Sequence, residues 1–200
     1  MDPFDVWIPF LLILGKCYSN VELWGGSDDS LTETGRLQAE TLGKDWADTH
    51  IDHLLSSPLQ RAHDTAKALS SHNEGHSEII VNPLLEERRF GDIAYRVMQS
   101  NALPLRDRSP TQDGESMNMV AMRAEAITRM ILREYAIELS EIPEFFLKKK
   151  TTDTPAVLPD GVPHVVIVSH NGFLMEFYDK LYSWGREHLS TKSEWGNAHW

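Results

Sequence analysis

At 200 residues and 41% hydrophobic composition, the chain can bury one sizeable core, so a single domain over 1–200 is expected and a disordered, collagen-like or coiled-coil protein is excluded. A formal net charge of −11 argues against a nucleic-acid or anionic-membrane surface, but still allows a small phosphorylated ligand in a local cationic pocket. The single cysteine, Cys17, excludes an intramolecular disulfide framework and suits a reducing compartment, so a cytoplasmic location is expected.

In chain order, "WIPFLLIL" predicts a first strand over about 7–14. Asp2 and Asp5 precede it rather than Lys or Arg, no small-residue cleavage site follows, and the run is too short to cross a bilayer. It therefore reads as a buried strand rather than a leader or membrane segment. A Gly-rich loop follows. Thr32 then caps a helix through "ETGRLQAETLGKDWAD", with Ala39, Leu42 and Trp46 on one face. "IDHLLSS" predicts a second strand, Pro58 opens the helix "PLQRAHDTAKALSS", and "EIIVNPLL" predicts a third strand. A long helix is predicted from Glu115 to about Leu139, with Val120, Ala124, Ile127 and Ile131 forming its apolar stripe. Residues 145–163, with their lysine run and prolines, form a loop. "HVVIVSH" predicts a fourth strand buried on both faces, leading into "GFLMEFYDKLYSW" with the helical stripe Leu174, Phe177 and Leu181. Strands alternating with helices imply an α/β fold with a mainly parallel sheet. Ligands of such sheets bind beyond the carboxyl ends of the strands.

Four groups with useful chemistry fall at those ends. Arg61 lies near the start of its helix, where free N–H groups already favour an anion; the alternative is a surface arginine pairing with Asp64. In "LLEERRFGDI", a carboxyl of Glu86 or Glu87 is placed for general acid chemistry, or belongs to a solvated charge cluster with Arg88 and Arg89. His170, where the fourth strand ends, could donate to a substrate oxygen or serve as a capping or structural histidine. Glu115 in "DGES" is a further carboxylate, or an ordinary acidic helix start. His50 with His53, and His72 with His76, lack the cysteines or carboxylates of a metal site, so no metal and no cofactor are expected.

The order and spacing of "LTETGRLQAETLG", "LLSSPLQRAHDTA", "LLEERRFGDI", "DGES" and "VVIVSHNGF" resemble the histidine phosphatase superfamily, also called phosphoglycerate mutase-like. The run "YSNVELWGGSDDSLTETG" looks most like small fungal hydrolase-type members. The resemblance implies a three-layer αβα sandwich and a phosphoester hydrolase working through a phosphohistidine on a small phosphorylated substrate or phosphopeptide. Phosphoglycerate mutase activity is a lesser alternative. It implies that Arg61 and His170 neutralise phosphoryl oxygens, that Glu87 protonates the leaving group, that Glu115 is an additional carboxylate, and that Asn20 donates to the phosphate pocket.

Asn20 also sets the register of the motif R-H-G-x-x-x-x-N. Gly15 then falls on its glycine, Leu14 on the nucleophilic histidine and Ile13 on the arginine. Leucine cannot form a phosphoenzyme, and losing such a nucleophile costs about 10⁶-fold in rate. Cys17 stands three positions further on, where in-line attack would be fortuitous. The chain is therefore expected to be inactive or severely impaired as written, with a non-catalytic phosphoester-binding or regulatory pseudoenzyme as the alternative. Further departures are His170-Asn171-Gly172 in place of His-Gly, and "FGDIAYR" at the substrate-side wall. The chain stops at "EWGNAHW", short of a last strand that relatives carry, so a truncated C-terminus is expected.

Overall fold

The computed structural model describes Val6–Trp7, Phe10–Ile13, 30–89, Gly91, 114–135, Ile137–Glu138 and 163–182. The elements are β1 (Val6–Trp7), β2 (Phe10–Ile13), α1 (Glu33–Asp45), β3 (His53–Ser56), α2 (Gln60–His72), β4 (Ile79–Val81), a 3-10 turn (Pro83–Leu85), α3 (Met117–Tyr135), β5 (Ile137–Glu138), β6 (Val165–Val168) and α4 (Asn171–Tyr182). Four strands form one parallel sheet in the order β2-β6-β3-β4. β1 and β5 make a separate antiparallel pair. Trp7 of the expected first strand therefore lies in a different sheet from Phe10–Ile13, while Leu14 lies outside the described residues.

Side chains alternate across the parallel sheet because successive Cβ atoms point to opposite faces. Leu55, Val165 and Ile167 join one core with Val120, Ala124, Ile127 and Ile131 of α3 and Phe173, Leu174 and Phe177 of α4. Leu54, Val166 and Val168 join the opposite core with Leu42 and Trp46, and with Ala62, Ala66 and Leu69 of α2. One helix pair covers each face, which makes the three-layer sandwich. It also explains why "VVIV" is apolar throughout: all four residues are buried. Each large aliphatic or aromatic side chain buried this way contributes about 1.5–3 kcal/mol.

Element ends follow local chemistry. The Thr32 hydroxyl accepts from Gly35 N–H at 2.9 Å, as the sequence predicted for a cap. α2 begins at Gln60 rather than Pro58, with Leu59 as its N-cap residue and Ser57 Oγ accepting from Leu59 N–H at 3.3 Å. Only the centre of "EIIVNPLL" is strand. The Asn82 side chain accepts from Leu84 N–H at 2.9 Å and turns the chain into the 3-10 segment. The long helix is shorter at both ends than expected, and Glu115 lies before it.

Ile13 and Ser56 both pair with Val168, and Ser56 pairs with Val81. The strands thus end level, and the segments after Ile13, Ser56, Val81 and Val168 leave from one sheet edge.

Candidate functional site

At that edge, Ser57 and His170 meet. Both are buried, and the Nε2 of His170 lies 2.9 Å from Ser57 Oγ. Leu59 N–H already donates to this oxygen, so the simplest assignment has the serine O–H donating to Nε2. Burial pushes the imidazole well below its ordinary value, and the nearby Arg61 and Arg123 guanidiniums push it further down. His170 is therefore neutral at neutral pH in the unliganded site.

Arg61 stands in the first turn of α2, beside the positive end of its dipole. Asp64, its suggested surface partner, pairs with Lys67 at 3.0 Å. Its charge is one of two guanidinium charges that lower the His170 imidazole.

The carboxylates have distinct surroundings. Glu87 Oε1 accepts from Arg88 N–H at 2.8 Å and Phe173 N–H at 3.0 Å, and its Oε2 accepts from Gly172 N–H at 3.2 Å. Glu115 is buried and receives the fork of Arg123, with Nε to Oε1 and Nη2 to Oε2 both at 2.7 Å. Arg89 N–H adds a third bond, at 3.3 Å. Burial alone would raise the Glu115 carboxyl, but the Arg123 fork, the Arg89 amide and their charges hold it below the usual carboxylate range. Arg123 also donates through Nη1 to the carbonyls of Leu84 and Glu86, at 2.7 and 2.9 Å, and lies over the Phe173 ring at 5.2 Å. Arg88, buried, donates to the Glu115 carbonyl at 2.9 Å.

Glu87 thus bonds the start of α4, next to His170, whose imidazole the Arg61 charge lowers. Glu115 links the 84–89 segment to α3 through its bonds to Arg88, Arg89 and Arg123. Asn20 lies outside the described residues, as do Leu14, Gly15, Cys17, the expected loop at 145–163 up to residue 162, and "EWGNAHW". Three contributors were not singled out in the sequence. Ser57 sits in the quoted "LLSSPLQRAHDTA". Arg123 lies between Val120 and Ala124 at the edge of an apolar stripe, a position that hints at a half-buried cation. Arg88 gave no signal of burial, because four adjacent charges read equally well as solvated.

His50, His53 and His72 have separate partners. His50 lies 3.0 Å from Asp52, His53 stacks on Tyr135 with centroids 4.1 Å apart, and His72 bonds Glu40 across α1 and α2 at 2.5 Å. Among the described residues no group of three potential ligands is arranged for a metal.

The model of the histidine phosphatase superfamily (branch 1) matches residues 15–138, well over half of the chain. Among curated proteins, the chain is 31% identical over 169 residues to fructose-2,6-bisphosphatase TIGAR B of Danio rerio, covering 74% of this chain and 63% of the relative. It is 38% identical over 73 residues to the 2,3-bisphosphoglycerate-dependent phosphoglycerate mutase of Bartonella henselae, covering 35% of each. The chain spans less than two thirds of the length of these relatives. Among solved structures, mycobacterial glucosyl-3-phosphoglycerate phosphatase with VO3 superposes with a TM-score of 0.64 at 22% identity, over 94% of this chain and 90% of that one. A phosphoserine phosphatase mutant from Entamoeba histolytica with phosphoserine gives 0.58 at 18% identity, over 94% and 86%. These likenesses establish the phosphoglycerate mutase-like α/β fold.

Proposed function

The chain belongs to the histidine phosphatase superfamily, and from that premise we propose that it is a phosphoester-hydrolase scaffold that binds a small phosphoester but is severely impaired in turning it over. One observation carries this reading. Buried His170, next to Ser57 and under the influence of the Arg61 charge, lies where β6 ends level with β2, and β2 ends at Ile13, just before Leu14 in the sequence; this supports a phosphoryl-binding edge without its nucleophile.

Hydrolysis through a phosphohistidine needs an imidazole nitrogen to attack phosphorus and release the alcohol, after which water attacks the phosphoenzyme. Leu14 has no lone pair to offer, and Ile13 cannot hold a phosphoryl oxygen. Binding draws on different groups. Arg61 can bond phosphate oxygens bidentately, and an anion beside His170 favours its protonated form. Asn20 supplies a further donor by resemblance alone. Glu115 is committed to Arg123, so it braces the site rather than delivering a proton.

Relatives named for fructose-2,6-bisphosphate, glucosyl-3-phosphoglycerate and phosphoserine support a small phosphorylated metabolite over a phosphopeptide. The cytoplasmic placement rests on composition. Among the described residues no helix is long and apolar enough to cross a membrane.

The test pairs binding with turnover on the unmodified chain. Orthophosphate should bind, and Arg61→Ala should weaken that binding by roughly 10- to 100-fold, the range for losing bonds to a charged group. An aryl phosphate should not be hydrolysed above background. Turnover by the unmodified chain would overturn the proposal, as would orthophosphate binding that ignores Arg61.

A further inference from the structure

Helix α4 begins without a cap of its own. Leu174 N–H donates to the His170 carbonyl at 2.8 Å, which makes His170 the N-cap residue of α4. The next amides have no acceptor within the helix. An N-cap side chain ordinarily accepts from the second or third helical amide, here Gly172 and Phe173. His170 does not, because its Nε2 is engaged with Ser57.

We infer that Glu87 is the N-terminal cap of α4, supplied from 85 positions earlier in the chain, and that through this cap it positions His170. Its two oxygens accept from Gly172 N–H at 3.2 Å and Phe173 N–H at 3.0 Å, the two amides a local cap would have taken. Its negative charge also meets the positive end of the α4 dipole. Arg88 N–H, at 2.8 Å, holds the carboxylate in place from its own backbone.

Gly172 makes the approach possible. A Cβ there would lie 2.6 Å from Glu87 Oε1, so the carboxylate could keep its two amide bonds only by shifting. This gives a physical reason for a glycine two positions after His170 rather than one: it sits where the carboxylate crosses the helix. Both Glu87 oxygens act as acceptors in this arrangement, which ties the start of α4, and with it His170, to the 84–89 segment. The inference deepens the proposed function at the same site, but its main test needs neither ligand nor turnover.

That test is a pair of substitutions read by thermal unfolding and by the His170 ring resonances. Gly172→Ala should lower Tm by about 3–10 °C in the parent, from crowding against the carboxylate. In a Glu87→Ala background the clash is gone, and the same change should raise Tm by about 1–3 °C, because alanine suits a helix better than glycine. Glu87→Ala should also shift the His170 imidazole resonances and its titration. An equal fall in Tm in both backgrounds would overturn the cap. The inverted sign with unchanged His170 resonances would overturn the positioning role.

Should Glu87→Ala not fold, Glu87→Gln answers through amide exchange. One of its two terminal atoms becomes a donor facing an N–H. Exchange at Gly172 or Phe173 should then accelerate roughly tenfold or more, and unchanged exchange at both would overturn the inference.

Discussion

Glu115→Gln is the perturbation whose effect the geometry defines best. The carboxylate is 3% exposed and accepts both arms of the Arg123 fork at 2.7 Å. Its backbone is tied in as well: Glu115 N–H donates to the Arg89 carbonyl at 2.6 Å, and its carbonyl accepts from Arg88 Nε. Glutamine keeps the volume but replaces one charged acceptor with an NH2 group facing a guanidinium, leaving the Arg123 charge half-matched in a dry site. Removing one partner of a buried pair costs about 3–5 kcal/mol. Glutamine retains one acceptor and Arg123 keeps the Leu84 and Glu86 carbonyls, so the loss should lie near about 3 kcal/mol, or roughly 6–12 °C in Tm.

The loss should also depend on pH. The folded-state carboxyl titrates below its unfolded value, so its contribution is complete above about pH 4.3 and is lost as pH falls through the lower folded value. Urea unfolding of parent and variant at pH 7 and in acid reads both effects. The gap should be wide at pH 7 and shrink on acidification. A gap under about 0.5 kcal/mol at pH 7, the size of an exposed pair, would refute the reasoning, as would a gap that does not change with pH.

Three other outcomes are expected. Because folded His170 resists protonation, stability should fall as pH drops below about 6.5, by up to about 1.4 kcal/mol per pH unit, and His170→Gln should flatten that slope in urea titrations. Ser57→Ala leaves the buried Nε2 without its partner and should cost about 1–3 kcal/mol, read by denaturation at pH 7.5. Gly43→Ala would put a Cβ 2.7 Å from the Ala68 carbonyl oxygen and 2.7 Å from His72 Cδ2; the resulting separation of α1 and α2 should lower stability by about 1–3 kcal/mol in the same assay.

The layers were legible because burial imposes periodicity. Val120, Ala124, Ile127 and Ile131 all face one core, and the unbroken apolar run "VVIV" correctly signalled a strand covered on both faces. The strand edge as the place to search followed from the parallel topology, and Glu87 bonds the start of α4 there, next to His170. What the sequence left open was what each group touches. His170 occupies a cap position in its backbone while its ring serves elsewhere, so the alternatives of capping and functional histidine were not exclusive. Glu115 read as a further carboxylate or an ordinary acidic helix start; it lies before the helix, and Arg123 reaches it from two turns into α3. Such pairings depend on where loops fold back, and no local spacing encodes them. The division of "WIPFLLIL" between two sheets has the same origin: the β1 partner, Ile137–Glu138, is remote in sequence.

The central claim is that a phosphoryl pocket persists at the end of β2 while its nucleophile does not. The most direct measurement is aryl phosphate hydrolysis by the Ile13→Arg/Leu14→His variant beside the unmodified chain. Hydrolysis that appears only in the variant, and is lost again on adding Arg61→Ala, is the predicted result. A variant that folds, keeps the His170 environment and still fails to hydrolyse would contradict the register that puts Leu14 on the nucleophile.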